Sequence, residues 1–198
     1  MITFVLPIGS ELDYKYAFEI LLPSFFYHQK LEDYKFLIIY KANHKYLLDQ
    51  YYLNDEYNYD KFDFLDEETI CTDGIPEVTY YFQMYLKLKI AELVETSHYI
   101  TLDSDIFFSK PFSESNFIEG DRCYCYIVKK VDAWIKRVMV YLKIKVDYAI
   151  NQTPFVFKTA LVEQMLNDID VEDLIINKNC NEYGLFFGWL LRKHIFKK

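Results

Sequence analysis

Runs of apolar residues alternate along the chain with segments in which apolar positions recur every three or four residues. The runs predict buried strands, and the three-to-four spacing is typical of helices that pack one face on a core. The predicted strands are Ile2–Ile8, Lys35–Tyr40, Lys61–Leu65, Tyr99–Leu102, Cys123–Val128 and Phe155–Phe157. The predicted helices are Glu11–His28, Asn43–Tyr52, Thr79–Glu95, Val131–Leu142, Thr159–Asn167 and Tyr183–Lys193.

The order of these elements predicts the fold class. Strand and helix alternate through the first half, which favours an α/β fold with a mainly parallel sheet and helices on both of its faces. Pro23 is expected to kink or divide the first helix, because proline has no backbone N–H. Residues 54–78 are acidic and predicted to be largely irregular. No repeat or Pro/Gly/Ser-rich linker interrupts the chain, so we expect one domain over residues 1–198.

Composition and charge exclude several classes of function. No apolar stretch has the ~18 residues of a membrane-spanning helix, and the first residues lack the basic region of a signal peptide. The 30 acidic and 22 basic residues give a net charge of -8, which disfavours binding along a nucleic-acid backbone. The four cysteines lack paired zinc-finger spacing. Because no secretion signal is recognised, we expect them to be reduced and buried, as in a cytoplasmic protein.

Two carboxylates one residue apart, Asp103 and Asp105, follow the predicted strand Tyr99–Leu102. Ligands of open α/β sheets bind outside the carboxyl ends of the strands. A pair of carboxylates at such an end can hold a hard divalent cation, or divide a cation and a sugar hydroxyl between them. Composition alone also produces such pairs: Asp168 and Asp170 form a second one, which is read as a solvated loop.

The context of the first pair resembles a known family. Residues 80–112 are similar to the core of nucleotide-sugar glycosyltransferases of the GT-A fold, and in particular to the family DUF6492, with similar domains in glycosyltransferases of large DNA viruses. The resemblance continues weakly in Thr153-Pro154-Phe155 and Glu182-Tyr183, with Leu6-Pro7-Ile8 at the expected end of the first strand. The residues that carry the main match are Gln83, Lys87, Leu88, Leu102, Asp103, Ser104, Asp105 and Pro111.

This resemblance implies a Leloir-type glycosyltransferase of the hexosyl or deoxyhexosyl class, with a single three-layer GT-A domain. Residues 1–110 would bind the nucleotide and residues 111–198 would face the acceptor. Asp105 would bind Mn²⁺ or Mg²⁺ directly, and Asp103 would contact the donor ribose or reach the metal through water. The donor would be a nucleoside-diphosphate sugar, with a UDP-sugar as the default, and the acceptor a sugar or glycan.

Other residues near these motifs are candidates for binding the donor or for catalysis. Gln83 and Lys87 share one helix face, from which Lys87 could reach phosphate or the donor sugar. Glu182 directly precedes the last predicted helix, whose N-terminus would hold its carboxylate in place, and it is the candidate general base of an inverting transfer; in a retaining transfer it would orient the acceptor or donor. The base pocket would be lined by Pro7, Ile8 and Gly9, with Tyr14 stacking on the base.

Two other functions remain compatible with the sequence. A nucleotidyltransferase also places acids and a divalent metal on an α/β sheet, although the first strand is followed by PIGSELD, which has no basic residue. A non-catalytic domain that binds a glycan or a partner could keep the fold without activity. The chain could also act as a homodimer or as part of a longer polypeptide, and in a viral setting it would work in the host cytoplasm or the virion.

Overall fold

The computed structural model describes residues 1–29, 34–52, 62–71, 79–129, 131–150 and 153–195. The strands are β1 (Ile2–Ile8), β2 (Tyr34–Tyr40), β3 (Phe62–Asp66), β4 (His98–Thr101), β5 (Ile118–Glu119), β6 (Arg122–Cys123) and β7 (Phe155–Lys158). The α-helices are α1 (Glu11–Tyr16), α2 (Leu22–His28), α3 (Lys45–Tyr52), α4 (Glu67–Ile70), α5 (Thr79–Lys89), α6 (Ala133–Leu142), α7 (Thr159–Asp168) and α8 (Glu182–Arg192).

Five strands form the central sheet, in the order β3-β2-β1-β4-β7. The first four are parallel to one another, and β7 runs antiparallel to β4. This mixed, mainly parallel sheet confirms the predicted fold class. Val5 of β1 is paired with Thr101 of β4, so the carboxyl ends of the two central strands reach the same edge of the sheet.

Helices cover both faces of the sheet, because each strand contributes side chains to two separate cores. On one face, Phe4 and Leu6 of β1 pack with buried residues of α1 and α2. On the other face, Val5 packs with the buried residues of α5, α6, α7 and α8. All seven residues of β1 are buried, as expected for a central strand of a sheet covered on both faces.

The first predicted helix is divided, as the position of Pro23 suggested. A five-residue π-helical turn, Ala17–Leu21, separates α1 from α2, and Pro23 stands at the start of α2. Proline cannot donate the hydrogen bond that a continuous α-helix would require at this position. Ser10 caps α1 by accepting a hydrogen bond from the backbone N–H of Asp13, which fixes the turn between β1 and α1.

Two predicted elements differ from the structure. The strand expected at Cys123–Val128 was wrong in extent: β6 ends at Cys123, and residues 124–127 are exposed. A continuous strand needs a neighbour for its backbone hydrogen bonds. In residues 124–128 such bonds are isolated: the N–H of Tyr124 donates to the carbonyl of Phe117, and Val128 forms a bridge to Ala149. The helix expected to reach Glu95 ends as α-helix at Lys89 and continues as a 3₁₀ turn, Ile90–Glu92.

Some expectations cannot be compared in full. The acidic segment 54–78 lies largely outside the described residues, as does Lys61 at the start of the third predicted strand. None of the helices in the described ranges combines the length and the apolar character of a transmembrane span.

Close contact between α6 and α8 fixes the position of the last helix. A Cβ atom added at Gly188 of α8 would lie 2.7 Å from Val138 Cγ1 and 3.0 Å from Leu142 Cδ1. Real Cβ atoms do not approach neighbours so closely, and therefore only glycine permits this separation of the two helices. The first residue of α8 is Glu182, so the same contact positions a candidate site residue.

Gly188→Ala is therefore expected to destabilise the protein. Alanine favours a helix over glycine by about 1 kcal/mol, but overpacking a core typically costs about 1–3 kcal/mol. We expect a net loss of about 1 kcal/mol in the free energy of unfolding, measured by urea denaturation. An increase in stability would show that the two helices separate without cost.

Candidate active site

A pocket of about 550 Å³ opens where β1 and β4 end, between α1, α5 and α8. It lies at the carboxyl ends of parallel strands, the position at which open α/β sheets bind ligands. The residues that line it are Pro7, Leu12, Asp13, Tyr16, Tyr80, Gln83, Met84, Lys87, Asp103, Ser104, Asp105, Thr153, Glu182 and Tyr183. Six of the nine residues predicted for the site are among them.

The carboxylate pair occupies the turn that follows β4. The backbone N–H of Leu102 donates to the carbonyl of Val5 at 2.9 Å, so the chain stays attached to β1 until the residue before Asp103. Both carboxylate oxygens of Asp103 accept hydrogen bonds: Oδ1 from Lys87 Nζ and Oδ2 from Thr153 Oγ1, each at 2.6 Å. Asp105 is exposed and lines the pocket. The two carboxylates are therefore in different states, one held in place and the other open to solvent.

Lys87 is buried at the centre of a network of oxygen atoms. Its Nζ lies 2.6 Å from Asp103 Oδ1, 3.3 Å from Glu182 Oε1 and 3.1 Å from the Tyr183 hydroxyl. An ammonium group has three N–H donors, and these three acceptors match them. Lys87 therefore joins α5 to the turn after β4 and to the first turn of α8. In this arrangement it has no donor left for a phosphate, which departs from the role that the sequence suggested.

Burial and charge act in opposite directions on this network. Burial by itself lowers the pKa of Lys87, but the acidic groups around it outweigh burial and hold the pKa well above its ordinary value. Burial raises the pKa of Glu182, and the attraction of Lys87 opposes that increase. Glu182 is 2% exposed, so its charge depends on Lys87 for compensation.

Asp13 is a site residue that the sequence analysis missed. Its Oδ1 accepts a hydrogen bond from Ser104 Oγ at 2.7 Å, and its Oδ2 accepts bonds from the backbone N–H of Gly9 and Ser10. Burial alone would raise the pKa of Asp13, but these hydrogen bonds outweigh it and lower the pKa. The spacing Ser10-x-x-Asp13 is that of a capping box, and it was the signal available in the sequence.

The residues predicted for the base pocket are placed differently from one another. Pro7 lines the pocket, and its carbonyl accepts a 3.4 Å hydrogen bond from Gln83 Nε2. Gly9 lies beside it and is half-buried. Ile8 and Tyr14 are not among the lining residues: both are buried in the core, and the Tyr14 ring packs edge-on against His44. A base that stacks on Tyr14 would require that side chain to leave the core.

Acidic groups predominate in the pocket. Its described lining residues include four carboxylates, from Asp13, Asp103, Asp105 and Glu182, and one ammonium group, from Lys87. No group of three or more His, Cys, Asp or Glu side chains is placed to hold a metal ion within the described ranges. Carboxylate oxygens suit Mg²⁺ and Mn²⁺, which commonly use one or two protein carboxylates and complete their coordination with substrate phosphates and water. Asp105, with Asp103 beside it, fits that kind of shared site.

A second buried carboxylate lies away from the pocket lining, at Glu67 in the first position of α4. It is 7% exposed, and burial raises its pKa to about 7, opposed by the charge of Lys41. A group whose pKa is raised on folding stabilises the protein below its ordinary pKa of 4.5. That stability is lost as the pH rises through the pKa of the folded state.

The free energy of unfolding is therefore expected to fall between pH 5 and pH 8 by roughly 2–3 kcal/mol through Glu67. Glu67→Gln should remove this part of the pH dependence, as measured by urea denaturation at both pH values. The neighbouring exposed residue provides a matched control: Glu68→Gln should retain the pH dependence of the wild type. Equal pH dependence in Glu67→Gln and the wild type would contradict the assignment.

Comparison with solved structures identifies the fold. The chain is similar to mouse xyloside xylosyltransferase 1 in its apo form, at 12% identity, over 96% of this chain and 81% of that one, with a TM-score of 0.60. It is similar to the galactosyltransferase LgtC in complex with donor and acceptor sugar analogs, at 12% identity, over 95% and 70%, with a TM-score of 0.61. TarS 1–349 of S. aureus in complex with UDP matches at 13% identity, over 96% and 55%, with a TM-score of 0.50.

These similarities establish the GT-A type of fold and, at such low identity, the fold alone. A comparison of the sequence with curated proteins finds no significant match. One family model matches the whole of residues 1–198, and its description is a family of unknown function. The similarity to this family that the stretch from Gln83 to Pro111 suggested is thereby confirmed, and the chain belongs to the family DUF6492.

Proposed function

We propose that the protein is a metal-dependent glycosyltransferase that moves a sugar from a nucleoside-diphosphate sugar to a hydroxyl group of a glycan or another acceptor. The observation that carries this proposal is the charge of the pocket at the carboxyl ends of β1 and β4. Four carboxylates line it, and the ammonium of Lys87 is already matched by three acceptors. An anionic diphosphate would be repelled there unless a divalent cation accompanied it.

Asp105 is the residue proposed to hold that cation, because its carboxylate is exposed to the pocket. Asp103 would act beside it through water or on the donor ribose, since Lys87 and Thr153 fix its orientation. When bound, Mn²⁺ or Mg²⁺ would neutralise the diphosphate leaving group as the sugar–phosphate bond breaks. The solved complexes of similar fold support a nucleotide-sugar donor, because LgtC is bound to donor and acceptor sugar analogs and TarS to UDP.

The chain's own residues would position the donor before reaction. Pro7 and Gly9 lie at the end of β1, and Gln83 of α5 donates to the carbonyl of Pro7. These residues would contact the base and ribose of the nucleotide, which is UDP by default. Asp13 accepts a hydrogen bond from Ser104, which lies between the two aspartates. This bond would hold the turn after β1, on the base side of the pocket, next to the turn after β4, on the phosphate side. Residues 1–110 would in this way supply the nucleotide-binding half.

Glu182 is proposed to act on the acceptor side, where residues 111–198 contribute. Its carboxylate lines the pocket and is held by Lys87 at 3.3 Å. Burial raises its pKa, which makes it a stronger base than an exposed glutamate when it is ionised. In an inverting transfer it would accept the proton of the acceptor hydroxyl, and in a retaining transfer it would orient the acceptor or donor.

The proposal is tested by calorimetry of the wild-type protein with UDP, GDP, dTDP and CMP, each with and without Mn²⁺. We expect one nucleotide to bind in the presence of Mn²⁺ and to bind at least about tenfold more weakly without it, since the metal offsets the charge of the pocket. Binding of no nucleotide under either condition would overturn the proposal and favour a non-catalytic domain of the same fold.

A further inference from the structure

An exposed aromatic side chain stands at the mouth of the pocket. Tyr80, in the first turn of α5, lines the pocket and is 57% exposed. Residues three, four and seven positions apart share one face of a helix, so Tyr80 lies on the same face of α5 as Gln83 and Lys87. The ring of Tyr80 therefore extends the wall of the pocket outward from the buried network around Lys87.

Two further rings support Tyr80. The Tyr81 and Trp134 ring centroids lie 5.9 Å and 6.2 Å from that of Tyr80, and 5.8 Å from each other. The guanidinium of Arg137 lies 5.3 Å from the Trp134 ring and donates to the carbonyl of Asn179 at 3.1 Å. We call Tyr80, Tyr81 and Trp134 the aromatic wall. The ring of Tyr80 is therefore packed against two neighbouring rings, although 57% of the residue is exposed.

The aromatic wall borders the Glu182 end of the pocket. Trp134 belongs to α6, which packs against α8, and the next residue, Ile135, approaches the first turn of α8: its Cδ1 is 2.7 Å from the place of a Cβ at Gly184. Tyr80 and Glu182 line the same pocket. A molecule stacked on Tyr80 would therefore occupy the same pocket as the carboxylates of Glu182 and Asp105.

We propose that the aromatic wall is the acceptor subsite and that it binds the face of a pyranose ring, so that the acceptor is a saccharide. This inference rests on the proposed function. One face of a pyranose carries mainly C–H groups, which are attracted to the negative face of an aromatic ring, while the hydroxyls remain at the rim. Stacking on Tyr80 would hold a rim hydroxyl toward the carboxylate of Glu182.

The test uses the fluorescence of Trp134, because the second tryptophan, Trp189, is fully buried. Protein saturated with Mn²⁺ and UDP is titrated with lactose, cellobiose, maltose and N,N′-diacetylchitobiose. We expect at least one disaccharide to change the emission of the wild type and to bind about tenfold more weakly to Tyr80→Ala. Tyr80→Phe should retain binding, and UDP binding measured by calorimetry should be unchanged in both variants.

Tyr46 supplies a matched control, since it is 56% exposed on α3 and is not among the residues that line the pocket; Tyr46→Ala should bind saccharide as the wild type does. Binding of UDP without any fluorescence response to the disaccharides would overturn the subsite and leave the proposed function standing. Equal weakening of UDP and saccharide in Tyr80→Ala would also overturn it, because Tyr80 would then serve the donor. Failure of the wild type to bind UDP or another nucleotide would overturn the proposed function, and this inference with it.

Discussion

Asp105→Ala is expected to abolish Mn²⁺-dependent nucleotide binding and to lower any sugar transfer by about a thousandfold. Asp105 is the exposed carboxylate of the pair, whereas both oxygens of Asp103 already accept hydrogen bonds within the protein. Without Asp105, the remaining carboxylates would still repel a diphosphate, and no exposed partner of the pair would hold the cation. Interactions that stabilise charge at a leaving group are commonly worth two to three orders of magnitude in rate.

Nucleotide affinity should be measured by calorimetry over a range of Mn²⁺ concentrations, together with the circular dichroism spectrum of each variant. Asp147→Ala is a matched control, because Asp147 is an exposed acid outside the pocket lining and should bind nucleotide as the wild type does. If Asp105→Ala bound nucleotide with unchanged affinity and unchanged Mn²⁺ dependence, Asp105 would not be the metal ligand. Loss of binding in the control as well would point to a general effect on folding.

The central strands and the position of the pocket at their carboxyl ends could be predicted from the sequence because they depend on local patterns. The apolar runs that became β1, β2 and β4 are buried on both faces, so hydrophobicity alone marked them. Asp103 and Asp105 follow such a run directly, and the carboxyl ends of parallel strands meet at one edge of the sheet. Glu182 could be placed at a helix start, because the apolar helix that follows it is clear in the sequence.

Contacts between distant segments could not be predicted in the same way. The role of Lys87 depends on Glu182, 95 residues away, and nothing in the local pattern distinguishes a buried lysine from one that faces a phosphate. Tyr14 was expected to stack on the base, but it lies on the side of α1 that faces the core and is fully buried. Tyr80 was missed because an exposed aromatic residue is recognisable only when the surface around it is known.

Lys87→Met is expected to lower the free energy of unfolding by about 3–5 kcal/mol, the largest effect on stability that we predict. Methionine fits the space of the lysine stem, but it leaves Glu182 without a counter-charge. Asp103 is 42% exposed and can be hydrated, whereas the Glu182 side chain is 3% exposed and is hydrated far less. Lys87→Met combined with Glu182→Gln should therefore recover a substantial part of the loss, as measured by urea denaturation.

The pH dependence of the variant distinguishes an uncompensated carboxylate from a simple packing defect. Burial raises the pKa of Glu182, and in Lys87→Met the opposing attraction is gone. The charged form then destabilises the fold, so stability is retained at low pH and lost as the pH rises through the raised pKa. The free energy of unfolding of Lys87→Met should be closer to that of the wild type at pH 5 than at pH 8. Lys89→Met removes a partly exposed ion pair between the end of α5 and Glu92 of the 3₁₀ turn that follows, and it should cost under about 1 kcal/mol at both pH values. A loss in Lys87→Met that was equal at both pH values, and that Glu182→Gln did not reduce, would show that the ammonium group does not compensate Glu182.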